Sequence, residues 1–501
     1  MRRKKMRLND LILKSGIVPR ARSGGDAEIK SISYDSRRTE KGALFFAAHG
    51  TEQNGEAFAA DAVKKGASAI VAEKFLGSGV PEIKVENVKE AMARLAEAFY
   101  GFPSKKINLY GVTGTNGKTT VTYMLESIAA SAGEKSAVFG TINYRFGNKI
   151  YALPNTTAES ADISKLLAEF AADGGKRCFI EISSQGLDRK CADALSFKSA
   201  VFTNLSREHL DWHGNMENYA AAKRKLFEKV YESRGKEALA VINADDEWSE
   251  KIISGLPLKT VTYGIRKKSD YSGKIISFDS AKIIFDVKSL KEKIRIELKL
   301  PGEHNVMNAL AAFALAREEG FSAENIKNGL ENITDIIGRL SRIQSEDGFT
   351  VYVDYAHTPD ALKNVLQSLR PLTQKRIITV FGAGGNRDRG KRPVMGQIVS
   401  ENSDFAWITS DNPRNENPQA IALDIEVGMR KNSAAEFASE SPPWKVELDR
   451  EKAIGGAIAM AEKGDIILVA GKGHEEYQIV GCEQIPYSDI KTVKKILKKQ
   501  K

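Results

Sequence analysis

Short runs of apolar residues alternate with longer amphipathic stretches along the chain, and the pattern divides it into three segments. Residues 1–103 mix short strand-like runs with helical stretches and end at GFPSKK, a composition typical of a linker. Residues 104–336 and 337–501 each alternate apolar runs with helical patterns. We therefore predict an α/β protein of three domains that end near these positions.

The apolar runs in the second and third segments are typical of strands in parallel sheets. SAVFG, CFIEISS, SAVFTN and ALAVIN in the second segment are short and almost entirely apolar, which indicates burial on both faces of a mostly parallel sheet. The run from about 259 to 300 predicts an antiparallel addition to that sheet. TVYVDYA, RIITVFG, FAWITSD and DIILVAG then restart the pattern, which predicts a separate Rossmann-like α/β domain.

Composition narrows the class of protein. Hydrophobic residues make up 42% of the chain and charged residues 28%, which is ordinary for a globular protein in water. The chain has no uninterrupted apolar run of about 18 residues and no signal-peptide pattern, so we expect neither membrane insertion nor secretion. The three cysteines are widely separated, which argues against a disulfide framework or a zinc site and favours a cytoplasmic location.

A net charge of +10 is compatible with an anionic ligand. Outside the first seven residues and the tail KTVKKILKKQK, lysine and arginine are interspersed with acidic residues, a pattern typical of solvated surfaces. The interleaved basic and aromatic residues of a nucleic-acid surface are missing from the sequence, so we expect no nucleic-acid partner.

The stretch INLYGVTGTNGKTTVTYMLESIAAS combines an apolar strand, a glycine-rich turn and a helix, which are the parts of a phosphate-binding loop. Lys118 is placed to reach the β- and γ-phosphates of ATP, and the Thr119 hydroxyl to bind Mg²⁺. Val112 replaces the first glycine of the general motif, so the loop is a variant. The predicted ATP-binding residues of this loop are Gly114, Thr115, Asn116, Gly117, Lys118, Thr119 and Thr120.

Two further side chains follow strand ends in the same segment. Glu181 comes after the strand CFI, and His209 lies in the loop after AVF. Ligands of open parallel sheets bind beyond the carboxyl ends of the strands, so both residues are candidates to complete metal coordination with Thr119.

Lys223 lies on the apolar face of a predicted helix, MENYAAAKRKLFEKVYES. Two interpretations fit this position. The amine either extends to solvent along the apolar surface, or it is buried with a lowered pKa. A lysine amine with a lowered pKa reacts with CO₂ to form a carbamate, which is an anionic metal ligand.

These motifs together resemble the Mur ligase family, the ATP-dependent enzymes that add amino acids to peptidoglycan precursors. The motifs that carry the resemblance are GVTGTNGKTT (111–120), EISS (181–184), TNLSREHLDWHG (203–214), YAAAK (219–223), VINADD (241–246), LPGEHNVMNALAA (300–312) and GRL (338–340). The resemblance implies a cytoplasmic enzyme with an acyl-phosphate mechanism, two Mg²⁺ ions and a carbamylated Lys223. It implies catalytic roles for Lys118, Glu181, His209 and Lys223, and nucleotide contacts from Asn305, Asn308 and Arg339.

The C-terminal motifs DYAHTPDAL, FGAGGNRDRGKRPVMG, TSDNPRNENP and VAGKGHEEYQ resemble those of the family members that add the third amino acid. The tetrapeptide DNPR is typical of enzymes that add meso-diaminopimelate, whose distal carboxylate a guanidinium binds through two parallel hydrogen bonds. Addition of L-lysine or another diamino acid is the alternative. The predicted amino-acid-binding residues are Arg387, Asp411, Asn412, Arg414, Gly471 and Glu475.

The N-terminal segment DSRRTEKGALFFAAHGTEQNGEAF resembles the family's uridine-diphosphate-binding domain. Two positions depart from the family's pattern for the muramyl-dipeptide arm, where Gln185 and Cys191 replace the usual histidine and arginine. The residues predicted to contact this substrate are Ser36, Gln53, Asn155, Thr156, Thr157, Ser184 and Arg189. We expect small-molecule substrates and a monomer; a sister ligase and a nucleic-acid-stimulated ATPase are the alternatives.

Overall fold

The computed structural model describes residues 5–50, 54–279, 282–290, 292–433 and 442–499. The N-terminal elements are β1 Met6–Arg7, α1 Leu8–Ser15, β2 Ala21–Ser23, β3 Glu28–Ile29, β4 Ser31–Ser33, β5 Ala43–Phe46, α2 Ala59–Lys64, β6 Ala67–Ala72, β7 Glu82–Lys84 and α3 Val88–Tyr100. Strands β2-β7-β6-β5-β4 form a sheet in that order, in which only the β2–β7 pair is antiparallel among the described strands. Helices α1 and α3 bury their apolar faces against it.

The central segment forms the largest sheet. Its elements are β8 Asn108–Thr113, α4 Lys118–Ser131, β9 Ser136–Phe139, β10 Tyr144–Phe146, β11 Lys149–Tyr151, α5 Ser160–Ala172, β12 Arg177–Glu181, α6 Ser184–Asp188, β13 Ser199–Phe202, α7 Leu210–His213, α8 Met216–Arg234, β14 Leu239–Asn243, α9 Ser249–Ile253, β15 Lys259–Gly264, β16 Tyr271–Phe278, β17 Ile283–Lys288, β18 Lys293–Leu298, α10 Glu303–Glu318 and α11 Ala323–Asn332.

The described strands of this segment pair in the order β11-β10-β9-β12-β8-β13-β14-β15-β16-β17-β18. The run β9-β12-β8-β13-β14-β15-β16 is parallel, as predicted for its first strands. The prediction of an antiparallel run from 259 is wrong for β15, because β15 pairs in parallel with both neighbours, whereas β16, β17 and β18 are antiparallel. An apolar run reports burial but not strand direction, which the connections decide.

Helices cover both faces of the central sheet, which explains its apolar strands. On one face α4, α10 and α11 pack in one core, with Val121, Met124 and Leu125 of α4 fully buried. On the other face α5 and α8 pack in a second core, with Leu226 and Phe227 of α8 buried.

The C-terminal segment forms a third sheet. Its elements are β19 Ser341–Gln344, β20 Thr350–Asp354, α12 Pro359–Leu369, β21 Ile377–Phe381, α13 Lys391–Asn402, β22 Phe405–Ile408, α14 Pro418–Ser433, β23 Trp444–Val446, α15 Arg450–Ala459, β24 Ile466–Ala470, β25 Tyr477–Val480, β26 Glu483–Pro486 and α16 Asp489–Lys499. The strand order is β19-β20-β24-β21-β22-β23, and every pair except β19–β20 is parallel in the described residues.

The predicted α/β fold class with mostly parallel sheets is therefore confirmed. The boundaries at residues 103 and 336 stay predictions. Across the described ranges, every helix is too short or too polar to cross a membrane. The carboxyl ends of the central parallel strands face loops of the C-terminal segment, and this edge is where the predicted site residues gather.

Candidate functional site

A cavity of about 760 Å³ lies between the carboxyl edge of the central sheet and the C-terminal segment. Its C-terminal wall includes Tyr355, His357 and Asp360. The predicted site residues on its wall are Thr115, Asn116, Gly117, Lys118, Thr119, Thr120, Asn155, Thr156, Thr157, Glu181, Arg189, His209, Asn305, Asn308 and Arg339. The fold therefore brings residues as far apart in the chain as Asn116 and Asp360, 244 positions, into one cavity.

The phosphate loop connects β8 to α4, and two of its positions accept only glycine. Gly114 and Gly117 have φ angles of +151° and +86°. A Cβ at Gly114 would lie 1.8 Å from Thr203 Oγ1, and one at Gly117 would lie 2.3 Å from Asn308 Oδ1. The glycines thus permit the loop to contact two other elements at close range.

Thr203 and Asn204, directly after β13, hold this loop in shape. Asn204 accepts hydrogen bonds from the backbone N–H of Asn116, through Oδ1 at 2.9 Å, and of Thr115, through its carbonyl at 2.8 Å. Thr203 Oγ1 donates to the Asn116 carbonyl at 2.6 Å. Sequence reasoning assigned no role to this pair, although its position just beyond a strand end was a usable signal.

Lys118 begins α4 and turns its amine back onto its own loop. Nζ donates to the carbonyls of Gly114 at 2.9 Å and Thr115 at 2.8 Å. Burial lowers the pKa of Lys118 to about 8, although the nearby Glu181 carboxylate opposes the effect. The amine occupies the cradle that bound phosphates would fill.

The amine of Lys223 also contacts the Gly114 carbonyl that accepts from Lys118. Lys223 is 1% exposed, and its Nζ donates to the Gly114 carbonyl at 2.8 Å and lies 4.6 Å from the centre of the Tyr219 ring. Burial, reinforced by the positive charge of Lys118, lowers the pKa of this amine well below 10.5. The amine therefore does not reach solvent as the first interpretation required, and burial favours its neutral form more than in an exposed lysine.

The other predicted metal ligands are Thr119, Glu181 and His209. Both carboxylate oxygens of Glu181 accept hydrogen bonds from Thr141, from N–H at 3.0 Å and from Oγ1 at 2.9 Å. Burial lowers the pKa of His209 well below 6.5, which favours a neutral imidazole. Thr119 Oγ1 accepts from Arg339 Nη2 at 3.0 Å.

These donors fit Mg²⁺ held jointly with a phosphate. Among the described residues, no group of three or more His, Cys, Asp or Glu side chains is placed to hold a metal ion. Mg²⁺ characteristically takes one or two carboxylates and completes its shell with water and substrate phosphates. Buried polar atoms without a protein partner also lie on the cavity wall, at Ser206 Oγ, Glu208 Oε2 and Arg339 Nε, as expected where a polar ligand binds.

Asn305 and Asn308 lie on the first turns of α10, over the phosphate loop. Asn305 Nδ2 donates to the Pro301 carbonyl at 2.6 Å, and Asn308 Nδ2 donates to Asn305 Oδ1 at 3.2 Å. The contact of Asn308 with Gly117 places this pair beside the predicted nucleotide.

The predicted amino-acid-binding arginines lie in the C-terminal segment and do not line this cavity. Arg414 has a φ of +53°, and its Nη1 donates to the Gly385 carbonyl at 2.9 Å. Burial lowers its pKa, and the like charge of Arg387 adds to the effect. In the described ranges, the recorded hydrogen-bond acceptors of both guanidinium groups are backbone carbonyls, of Asn386 for Arg387 and of Gly385 and Asn412 for Arg414. The Asp411 and Glu475 carboxylates partly oppose both effects on the Arg414 pKa, and two adjacent guanidinium groups favour an anionic ligand.

A connected polar group lies next to these arginines. Asn412 Nδ2 donates to Glu475 Oε2 at 3.0 Å, and Lys472 Nζ donates to Asn412 Oδ1 and to Glu475 Oε2, each at 2.9 Å. A Cβ at Gly471 would lie 2.5 Å from Asp411 Oδ2, so the chain passes close to this carboxylate. Lys472 is fully buried and was not predicted; its place among the polar residues of AGKGHEE was the available signal.

Only some of the residues predicted to bind the sugar nucleotide lie on the cavity wall. Ser184 is buried off the cavity wall, where its Oγ is hydrogen-bonded to His213 Nε2 at 2.9 Å; the neighbouring Ser183 lies on the wall instead. Ser36 begins a short 3₁₀ turn and also lies off this wall, and Gln53 lies outside the described residues.

His304 on the cavity wall makes the fold sensitive to acid. Burial lowers its pKa from 6.5 to about 4, so between these pH values the folded protein binds fewer protons here than the unfolded chain. The free energy of unfolding therefore falls as the pH decreases from 6.5 toward 4, by up to about 3 kcal/mol from this residue. Thermal unfolding midpoints measured from about pH 7 to pH 4 should decline less steeply for His304→Asn than for wild type. Equal slopes would contradict this assignment.

Comparison with known proteins covers almost the whole chain. Family models described as the Mur ligase middle domain, the Mur ligase glutamate ligase domain and the Mur ligase family catalytic domain match residues 112–316, 338–473 and 28–100. A UDP-N-acetylmuramoyl-L-alanyl-D-glutamate--2,6-diaminopimelate ligase of Syntrophomonas wolfei is 40% identical over 94% of this chain and 95% of its own length. The protein of the same name from Aquifex aeolicus is 41% identical over 94% of each chain.

Solved structures of Mur ligases are also similar to this chain. A structure described by the same ligase name is 30% identical, with a TM-score of 0.64 over 94% of this chain and 95% of that one. MurF from Acinetobacter baumannii, at 18% identity, shares the fold with a TM-score of 0.68 over 98% of both chains. The phosphate loop, the two buried lysines and the similarity along nearly the full length have one explanation: this chain belongs to the Mur ligase family.

Proposed function

We propose that the protein is an ATP-dependent ligase that joins meso-2,6-diaminopimelate to the D-glutamate of UDP-N-acetylmuramoyl-L-alanyl-D-glutamate in peptidoglycan precursor synthesis. The observation that carries the proposal is the placement of lysine and arginine side chains. Lys118 and Lys223 meet at one carbonyl of the phosphate loop, while the adjacent Arg387 and Arg414 donate to backbone carbonyls of the C-terminal segment. The names of relatives about 40% identical supply the substrates.

In the first step the γ-carboxylate of the D-glutamate attacks the γ-phosphorus of ATP, which forms an acyl phosphate and releases ADP. The phosphate-loop N–H groups and Lys118 hold the triphosphate, for which the Lys118 amine leaves its two loop carbonyls. Arg339, now on the Thr119 hydroxyl, is placed to hold a phosphate oxygen. Asn305 and Asn308 support the nucleotide from α10.

Mg²⁺ bound here would neutralise negative charge on the transferring phosphoryl group. Thr119 and Glu181 would hold one ion, and His209 with carbamylated Lys223 the other. Two features support the carbamate: burial and the positive charge of Lys118 both lower the pKa of the Lys223 amine, and the same positive charge favours an anion at this position.

In the second step an amine of diaminopimelate attacks the acyl carbon, and the tetrahedral intermediate expels phosphate. Arg414 and Arg387 are suited to bind its carboxylates, and Asp411, Asn412 and Glu475 its ammonium group. The C-terminal segment excludes water from the acyl phosphate by contacts such as that of Asn116 Nδ2 with Asp360 Oδ2 at 3.0 Å.

Arg414 should determine selectivity between diaminopimelate and lysine, which differ at the distal carboxylate. Hydrogen bonds to charged groups contribute roughly 1.5–3 kcal/mol, so wild type should favour diaminopimelate by roughly tenfold to a few hundredfold. Arg414→Ala should raise the KM for diaminopimelate and narrow this advantage, and Arg414→Lys should recover little, because one ammonium cannot replace the planar fork.

Steady-state kinetics with both amino acids would check this expectation. Arg389→Ala is the matched control, since this exposed arginine pairs with Asp424. A wild-type preference for lysine, or an unchanged preference in Arg414→Ala, would refute the assignment of the amino acid.

The proposed function itself is tested by phosphate release from ATP and the UDP-muramoyl dipeptide, with diaminopimelate, lysine and ornithine added in parallel. We expect release with diaminopimelate and a product whose mass equals the tripeptide. ATP turnover that requires DNA or RNA in place of the sugar nucleotide would overturn the proposal. The monomeric state and the cytoplasmic location stay predictions.

A further inference from the structure

A buried ion pair joins the central and C-terminal segments at the edge of the cavity. Lys391 Nζ at the start of α13 lies 3.2 Å from Glu208 Oε1 in the loop after β13, and their side chains are 5% and 8% exposed. The residues are 183 positions apart. A second, more exposed pair, Arg207 with Asp388 at 3.6 Å, lies beside it.

The buried pair is incompletely satisfied. Glu208 Oε2 is buried and has no hydrogen-bond partner in the described part of the chain, and Glu208 Oε1 is the recorded acceptor for the Lys391 ammonium. Desolvation of two charges is costly, and a single contact recovers only part of that cost. A buried carboxylate oxygen without a partner indicates that a donor is missing from the site.

Glu208 lies on the wall of the cavity and directly precedes His209. Other carboxylates on this wall are already engaged. Glu181 accepts two hydrogen bonds from Thr141, and Asp354 accepts from the backbone N–H of Leu340 at 2.7 Å and of Ala356 at 2.8 Å. Glu208 therefore belongs to the wall and carries an oxygen, Oε2, that no donor in the described part of the chain satisfies.

We infer that Glu208 Oε2 accepts a hydrogen bond from the nucleophilic amine of the incoming amino acid and holds this amine toward the acyl carbon. The inference rests on the proposed function. An amine carries the donors that this oxygen lacks, and the reacting amine must enter the cavity beside the phosphate loop. Lys391 fixes the other oxygen of the carboxylate, and because Lys391 belongs to the C-terminal segment, the amine acceptor is assembled only when that segment is docked.

The test separates formation of the acyl phosphate from attack by the amine. Hydroxylamine is a small neutral nucleophile that traps an acyl phosphate as a hydroxamate without a dedicated binding site. With ATP and the UDP-muramoyl dipeptide, Glu208→Gln should form hydroxamate near the wild-type rate. Its ligation of diaminopimelate should fall at least about tenfold, the effect of losing a charged hydrogen bond. Glu208→Asp, which keeps the charge, should lie between Glu208→Gln and wild type.

Lys391→Met should reproduce the selective loss of ligation and raise the KM for the amino acid more than that for ATP. Because this variant leaves an unpaired buried carboxylate, Glu208→Gln/Lys391→Met provides a variant with neither charge, whose fold is checked by circular dichroism. Glu217→Gln, an exposed change at the start of α8, is the matched control.

Each outcome is decisive. Wild-type ligation by Glu208→Gln, or equal loss of hydroxamate and tripeptide formation, would overturn the inference, because the residue would then not act on the amine. Failure of the wild-type protein to form either product would instead overturn the proposed function.

Discussion

Replacement of Lys118 by alanine should lower ATP-dependent ligation by a factor on the order of 10²–10³ or more, because it removes a preorganised cation from the transferring phosphoryl group. The fold should persist, since the amine contacts only two loop carbonyls, and the change removes a charge whose burial is unfavourable. ADP release and the thermal unfolding midpoint are the measurements.

Lys135→Ala is the matched control for Lys118→Ala, since it removes an exposed lysine just beyond the other end of α4. A folded Lys118→Ala protein with near-normal turnover would show that the glycine-rich loop does not bind the phosphates of ATP.

Replacement of Lys223 by alanine should abolish most of the activity, and a short carboxylic acid should restore part of it by replacing the lost anion. The residue is 1% exposed, and its neutral amine is the form that reacts with CO₂. Wild-type enzyme in CO₂-depleted buffer should slow for the same reason, and added bicarbonate should restore its rate.

Two results would contradict this role for Lys223: full activity of Lys223→Ala, or inactivity that no carboxylic acid relieves in a folded protein. Mass spectrometry under conditions that preserve carbamates provides a readout independent of activity. Lys229→Ala is the matched control, because this lysine lies on the same helix and pairs with Asp193 at 2.9 Å.

Lys223 and Glu208 are buried ionisable residues of the same segment, but the sequence was informative about the position of Lys223 only. The apolar face of α8 repeats at helical spacing, which places Lys223 on that face and left two interpretations, extension to solvent or burial. Glu208 lies in a loop with no periodicity, and its partner Lys391 is in another segment. Its burial became visible only when the two segments were seen in contact.

Neighbouring serines illustrate the same limit at short range. Ser183 and Ser184 are chemically identical in the sequence, and Ser184 was the predicted substrate contact. Helix α6 begins between them, so Ser183 caps its N-terminus and faces the cavity, whereas Ser184 is directed to His213. Neighbouring side chains at a helix start point about 100° apart around the helix axis, so they contact different surroundings.

The sequence by itself determined the parts that depend on neighbouring residues: the strand, glycine-rich turn and helix of the phosphate loop, the apolar strands of the parallel sheets and the place of Lys223 on the apolar face of α8. These follow from local backbone conformation and from the periodicity of apolar side chains. Tertiary structure alone decided the direction of β15, the burial of the Lys223 amine, the meeting of Lys118 and Lys223 at one carbonyl and the incompletely satisfied Glu208–Lys391 pair. These depend on contacts between residues far apart in the chain, which no local pattern records because the connections and the packing of whole segments bring them together.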